Sequence, residues 1–274
     1  MLEIDLDTAD GRRLHAYSWG DGPRTVMWQH GTPNIGAPPA PLFETAERLG
    51  LRFLGYDRPG YGGSTARPGR DIASAAGDAA AVADAFRVAE FSVYGHSGGG
   101  PHALACAALL GDRVPVVVSV SGLAPYDADG LDWFAGMGPT GEASLRAAVA
   151  GRAAREANAA VGAEPDFIGA DWAALEGEWG WFGSVVAPAV AGGPGPMIDD
   201  DLAYVAPWGF DPRSVPARTR LVHGAGDRMV PAAHSEWLAR HIPGAELRII
   251  PGEGHISVLA AAAVPALEWL AAAA

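Results

Sequence analysis

A serine hydroxyl attacks a carbonyl carbon only when a base takes its proton. The run Gly95-His96-Ser97-Gly98-Gly99 sets one serine where that can happen. The apolar stretch Phe91–Tyr94 leads in, and the Ala/Leu-rich stretch Pro101–Leu110 leads out. A strand, a sharp corner at Ser97 and a helix are therefore expected, with the side chain held outward as a nucleophile. The corner is tight enough that the residues two before and two after the serine need almost no side chain, which Gly95 and Gly99 satisfy. The N-terminus of the following helix directs about half a positive charge at the serine's surroundings. Of the eight histidines, His255 is the best base. It lies in Pro251-Gly252-Glu253-Gly254-His255, a flexible loop after a late strand. His30 and His96 adjoin functional loops and suit bracing roles. His223 ends a strand, His234 is expected on an outer helix, and His102 sits one turn into the helix after Ser97 as a packing or pocket-floor residue.

A base of this kind needs a carboxylate behind it to fix its tautomer and stabilise the imidazolium. Asp227, in Gly224-Ala225-Gly226-Asp227-Arg228, ends another strand and is the acid expected here. Asp57 is a rival, but it precedes the serine and is followed by Arg58, so a loop-anchoring ion pair between the two is expected. The run Asp199-Asp200-Asp201 is expected to be a solvated helix start. An acyl-transfer site also needs donors for the developing oxyanion. The backbone N–H of Gly98 is one. The other is expected from His30-Gly31-Thr32-Pro33, where Thr32 supplies the amide and Pro33 stiffens the loop.

These residues must be carried by regular elements. Leu2–Leu6 and Arg13–Trp19 read as strands joined at Asp10-Gly11. Thr25–Gln29, Leu51–Tyr56, Phe91–Tyr94, Val114–Ser121, Thr219–His223 and Glu246–Ile250 read as further strands. Pro41–Leu49, Ile72–Arg87, Ala232–His241 and Val258–Ala272 read as helices. Such alternation predicts a mostly parallel sheet covered on both faces. From about Pro125 to Arg213 the alternation fails. That stretch holds five of the nine tryptophans, with Phe134, Met137, Phe167 and Phe182, and reads as several short helices.

Composition narrows the function. The chain has 274 residues, 49% of them hydrophobic, and a formal charge of −13. It can bury a large core, and its acidity argues against nucleic acid and anionic membranes. All 19 basic residues are arginine. The absence of lysine excludes a Schiff-base lysine, a Ser-Lys dyad and a P-loop. Cys106 is the only cysteine and reads as core packing. The opening residues alternate apolar and acidic like an edge strand rather than a leader, so a cytoplasmic location is the expectation. No metal or organic cofactor is needed by this chemistry.

His30-Gly31-Thr32-Pro33, Asp57-Arg58-Pro59-Gly60-Tyr61-Gly62-Gly63-Ser64, Gly95-His96-Ser97-Gly98-Gly99, Gly224-Ala225-Gly226-Asp227 and Gly254-His255, taken together and in this order, resemble the α/β-hydrolase superfamily. The resemblance covers nearly the whole chain outside the Trp-rich stretch. It implies an eight-stranded, mostly parallel sheet with helices on both faces and a helical cap inserted after the sixth strand. The core would then comprise 1–124 and 214–274, with 125–213 as the cap. It also implies Ser97 as nucleophile, His255 as base, Asp227 as acid, and the Thr32 and Gly98 amides as oxyanion hole. Relatives that open epoxides or displace halide use aspartate as nucleophile, and Ser97 argues against both. The cap residues Trp133, Phe134, Met137 and Trp181 suggest a pocket for an apolar acyl or aryl group of a small-molecule substrate. A serine hydrolase of small carboxylic esters is the first expectation. A proline-iminopeptidase-like enzyme, with Glu176 and Glu178 binding the substrate's amino group, is the second, alongside a carbon–carbon bond hydrolase. A non-catalytic ligand-binding member of the fold is the third.

Overall fold

The computed structural model describes residues 1–273. Its eight strands are β1 (Leu2–Asp7), β2 (Arg13–Trp19), β3 (Arg24–Gln29), β4 (Leu51–Tyr56), β5 (Ser92–His96), β6 (Val116–Val120), β7 (Arg218–Gly224) and β8 (Glu246–Ile250). They form one sheet in the order β1-β2-β4-β3-β5-β6-β7-β8. β1 and β2, and β2 and β4, pair antiparallel; every other neighbour pair is parallel. Parallel neighbours require crossovers, and helices supply them. These are α1 (Phe43–Arg48), α2 (Ser74–Ala85), α3 (Gly99–Leu109), α9 (Ala233–His241) and α10 (Ser257–Ala273). Between β6 and β7 lie α4 (Pro139–Val149), α5 (Arg152–Val161), α6 (Gly169–Glu176), α7 (Phe182–Val190) and α8 (Gly195–Tyr204). The strands match the sequence reading to within two residues at each end. The expected helix over 41–49 is instead a 3₁₀ turn (Ala40–Leu42) running into α1.

The two faces of the sheet build two cores, as the period of two in a strand requires. Met27, Leu54, Val93, Val117 and Leu221 point to one face, where they pack with α2, α3 and α9. Their neighbours Val26, Trp28, Phe53, Tyr94, Val118 and Val222 point to the other, against α1 and α10. Strands buried on both faces explain why Val116–Val120 is a continuous run of small and β-branched residues rather than an alternating one. Cys106 is fully enclosed in the first core, and burial pushes its thiol up to about 12. No helix among the described residues is long and apolar enough to cross a membrane.

Because β3, β5, β7 and β8 all run parallel, their carboxyl ends fall along one edge of the sheet. That edge is where open α/β sheets hold their ligands. The loops after these four strands carry Thr32, Ser97, Asp227 and His255 respectively.

Candidate active site

Ser97 occupies the corner between β5 and α3 with φ of 55°, a left-handed conformation uncommon for a residue with a side chain. The bend is held by its amide donating to the Val120 carbonyl at 2.8 Å, and by its carbonyl accepting from Gly100 at 2.8 Å. Glycine is obligatory on either side. A Cβ on Gly95 would fall 2.4 Å from the Gly99 carbonyl oxygen, and one on Gly99 would fall 1.9 Å from that of Gln29. Backbone cannot yield at such distances, so the elbow exists only with these two glycines.

The structure brings Ser97, His255 and Asp227 together. His255 Nδ1 lies 2.7 Å from Asp227 Oδ2, and its Nε2 lies 2.8 Å from Ser97 Oγ. A carboxylate only accepts, so Nδ1 carries the proton. Nε2 of the neutral ring is then an acceptor, and the serine hydroxyl donates to it. Both lone-pair sets of Asp227 are used. Oδ1 accepts the Met229 and Val230 amides, each at 2.9 Å. Oδ2 also faces His223 Nε2 at 3.2 Å, and that nitrogen lies 2.7 Å from the Val230 carbonyl. Facing two acceptors, His223 Nε2 must bear a proton. Burial alone would raise the Asp227 pKa, but the His255 ring, with donors from both histidines, holds it well below the usual carboxylate range. Burial pulls the His255 pKa down; the Asp227 charge and hydrogen bond outweigh this and leave it above the ordinary imidazole value.

The supporting histidines divide by partner. His96 Nε2 donates to the His255 carbonyl at 3.1 Å, and burial pushes the His96 pKa down to about 3, so the ring next to the base is neutral. His30 Nδ1 donates to the Gly31 carbonyl at 2.7 Å, and its Nε2 accepts the Arg58 amide at 3.1 Å. His102 lies against the Gly98 carbonyl at 2.7 Å. His234 lies on the helix α9, where an outer helix is expected, but on its inner side. It is buried, and it links the Ala124 amide to the Trp133 carbonyl.

Thr32 and Gly98 lie side by side, and neither amide donates to another group among the described residues. A Cβ on Gly98 would lie 1.9 Å from the Tyr204 hydroxyl and 2.8 Å from Thr32 Oγ1. The space a side chain would take beside the serine is therefore filled by Tyr204, from the last turn of α8. Thr32 Oγ1 contacts Tyr204 Oη at 2.7 Å and donates to Asp200 Oδ2 at 2.6 Å. With its one proton given to Asp200, Thr32 must accept from Tyr204.

Two expectations fail here. Asp57 and Arg58 do not pair with each other. Asp57 accepts Tyr17 Oη at 3.0 Å and the Gly36 and Gly63 amides at 2.7 and 2.9 Å, which folds the loop back on itself. Arg58 turns the opposite way, to Asp200 at 2.7 Å, with further bonds to the His30 and Gly31 carbonyls and Thr32 Oγ1. Nor is Asp199-Asp200-Asp201 a solvated helix start: all three are buried in α8. Each meets its own arginine. Asp199 binds Arg152, Asp201 binds Arg155 at 2.7 Å, and Asp200 binds both Arg58 and Arg70 at 2.7 Å while also accepting Tyr61 Oη at 2.8 Å. Burial opposes the Asp200 charge, yet the two guanidinium groups hold its pKa well below the ordinary value. Asp201 has one arginine, and burial wins there, raising it to about 6.

Three of the four apolar-pocket candidates cluster on one core and the fourth, Trp181, lies on the other. Trp133 and Met137 are buried in the first core, where Trp133 Nε1 donates to the Ala124 carbonyl and its ring meets His234 and Phe134 edge-on. Phe134 lies half-buried under the Arg146 guanidinium. Trp181 packs on the opposite core beside Trp28, Trp179 and Phe182. The aromatic ring that stacks on His255 is instead Phe167, at 6.4 Å between centroids with planes 19° apart. The sequence offered Phe167 only as one aromatic among several. Glu176 and Glu178 are exposed.

A family model described as alpha/beta hydrolase fold matches residues 24–262. Among solved structures, the chain is similar to a thermophilic esterase from Thermogutta terrifontis, at 20% identity and a TM-score of 0.71, over 100% of this chain and 99% of that one. It is also similar to the enol-lactonase from Burkholderia xenovorans, at 19% identity and 0.72, over 97% and 98% of the two chains. A bromoperoxidase from Bacillus anthracis matches at 21% identity and 0.72, over 99% and 98%. At these identities the likeness is one of fold. The match of sheet order, loop motifs and family model leads to one conclusion: the chain belongs to the alpha/beta hydrolase fold family and is a hydrolase.

Proposed function

We propose that this hydrolase cleaves small carboxylic esters through an acyl-enzyme on Ser97. The observation that carries the reading is the unbroken relay of 2.8 Å from Ser97 Oγ to His255 Nε2 and 2.7 Å from His255 Nδ1 to Asp227 Oδ2. In this reading Ser97 Oγ bonds to the substrate's carbonyl carbon while its proton passes to His255 Nε2. The carbonyl oxygen takes up negative charge and is met by the free Thr32 and Gly98 amides. Asp227 stays ionised and stabilises the imidazolium. The intermediate collapses, the C–O bond to the alcohol breaks, and His255 returns the proton to the leaving oxygen. Water, deprotonated by the same ring, then attacks the acyl carbon and frees the acid and Ser97.

The helices over 125–213 act as a cap over this edge. The acyl or aryl group would rest on Phe167 and on the Trp181–Phe182 side of the cap, since the Phe182 ring lies 5.6 Å from that of His96. Trp133 and Met137 serve the core in this reading. Turnover of p-nitrophenyl acetate and butyrate by the wild type and S97A tests the proposal. A loss of at least about 10³-fold is expected, since a triad without its nucleophile keeps only binding and oxyanion contributions. An unchanged rate, or failure of a fluorophosphonate to label Ser97 in folded protein, would refute it.

A further inference from the structure

The inserted segment reaches into the loop that carries His255. Asp171, in the first turn of α6, is 1% exposed although it belongs to a helix whose outer face is open. One oxygen accepts the Ile168 amide at 3.1 Å and so caps its own helix. The other does something with no local purpose. Oδ1 accepts the Ile256 amide at 2.8 Å and the Ser257 amide at 2.9 Å, across 85 and 86 residues of sequence. Those are the residue after His255 and the first residue of α10, so Asp171 supplies the negative charge and acceptors that the N-terminus of α10 lacks.

Two neighbours tighten the same contact. A Cβ on Gly254 would fall 2.3 Å from Asp171 Oδ2, so the residue before the histidine is glycine to admit this carboxylate. Phe167 stacks on the imidazole from above, and the Ile168 side chain lies 3.3 Å from where a Cβ on Gly226 would be, next to Asp227. The short segment 167–171 therefore touches both the loop of the base and the loop of the acid.

We propose that Asp171 is a positioning residue that ties the inserted segment to the His255 loop, so that the imidazole is held on Ser97 only while α6 is docked. The inference rests on the Ser97–His255–Asp227 reading. The groups facing His255 are Asp227 from the β7 loop, Asp171 from α6, the neutral His96 ring from β5 at 5.2 Å between centroids, and Ser97. Asp171 is thus the second negative charge acting on the base. Asparagine at 171 keeps the shape and an acceptor for the α10 amides but removes that charge and sets an N–H against the Ile168 N–H.

The test compares wild type, S97A and D171N on p-nitrophenyl butyrate from pH 5 to 9, with circular dichroism as the check of folding. In D171N, kcat is expected to fall about tenfold with little change in KM. The acid limb of its kcat/KM profile is expected to move down by about half a pH unit or more, because one favourable charge on the imidazolium is gone. If D171N does not fold, D171S carries the same comparison, its hydroxyl accepting one of the two amides. Folded protein with wild-type kcat and an unmoved acid limb overturns the proposal. A fall in kcat with an unmoved limb overturns it too, because a loop merely loosened would do that. If S97A keeps activity, the fault lies in the triad reading instead.

Discussion

Replacing Asp200 by asparagine isolates the buried junction between α8 and the loops beside the serine. The carboxylate accepts from Arg58 at 2.7 and 3.2 Å, from Arg70 at 2.7 Å, from Tyr61 at 2.8 Å and from Thr32 at 2.6 Å, and of these only Thr32 is partly exposed. Asparagine keeps the volume and loses the charge, leaving two buried guanidinium groups without a counter-ion. Breaking a buried pair from one side costs about 3–5 kcal/mol. At about 2–4 °C per kcal/mol for a chain of this size, Tm should fall by roughly 6–20 °C. With one acceptor oxygen in place of two, the Thr32 hydroxyl would compete for it with the arginines and Tyr61. In the proposed reading its loop presents one of the two oxyanion amides, so kcat should fall by at least about tenfold, toward the 10²–10³ of a lost oxyanion donor.

The pH dependence follows with a definite sign. Burial raises the Asp200 pKa and the two arginines lower it further, so the net value is depressed. Stability from a depressed carboxylate is complete above the unfolded value of about 3.9 and is lost as pH falls through the folded one. The gap between wild type and D200N should therefore be constant from pH 5 to 8 and close only in strong acid. Thermal melts at several pH values, followed by tryptophan fluorescence, measure it, and ester turnover measures the catalytic part. A D200N variant melting within about 2 °C of wild type, with full kcat, would refute the view that this junction holds the site together.

The base makes its own prediction. The raised His255 pKa places the acid limb of wild-type kcat/KM above about 6.5, where an unperturbed imidazole titrates, and a midpoint below that value would contradict the Asp227 contact. Gly98 has φ of −53°, so alanine there is strained only by its neighbours. G98A should lose about 1–3 kcal/mol as its Cβ displaces the Tyr204 hydroxyl, and Y204F should recover part of that loss. Urea unfolding of the two single variants and the double variant checks it, and simple additivity would disprove the clash.

The parallel strands, the elbow glycines and the order of serine, aspartate and histidine were legible because each is written locally. Gly95 and Gly99 are needed by backbone within a few residues of Ser97 or from the adjacent β3 end. The continuous Val116–Val120 run is the mark of a strand covered on both faces. The acidic triplet in α8 was illegible for the opposite reason. Three consecutive aspartates look like solvated charge until Arg58 and Arg70, more than 120 residues away, and Arg152 and Arg155 are seen to meet them. Asp171 carries no signal either, since its partners are backbone amides of α10 and any residue but proline offers one. Asp57-Arg58 misled because adjacent opposite charges suggest a pair, whereas successive residues leaving a strand point to opposite sides.

One property of the sheet bears on how the protein comes to work at all. The histidine arrives on the loop after β8, the outermost strand at one side of the order, while the serine lies near the middle. Ser97 and His255 are 158 positions apart, and three strands (β6, β7 and β8) and seven α-helices (α3 to α9) lie between them. Hydrolysis by these residues therefore needs both the middle of the sheet and its β8 edge in place at once.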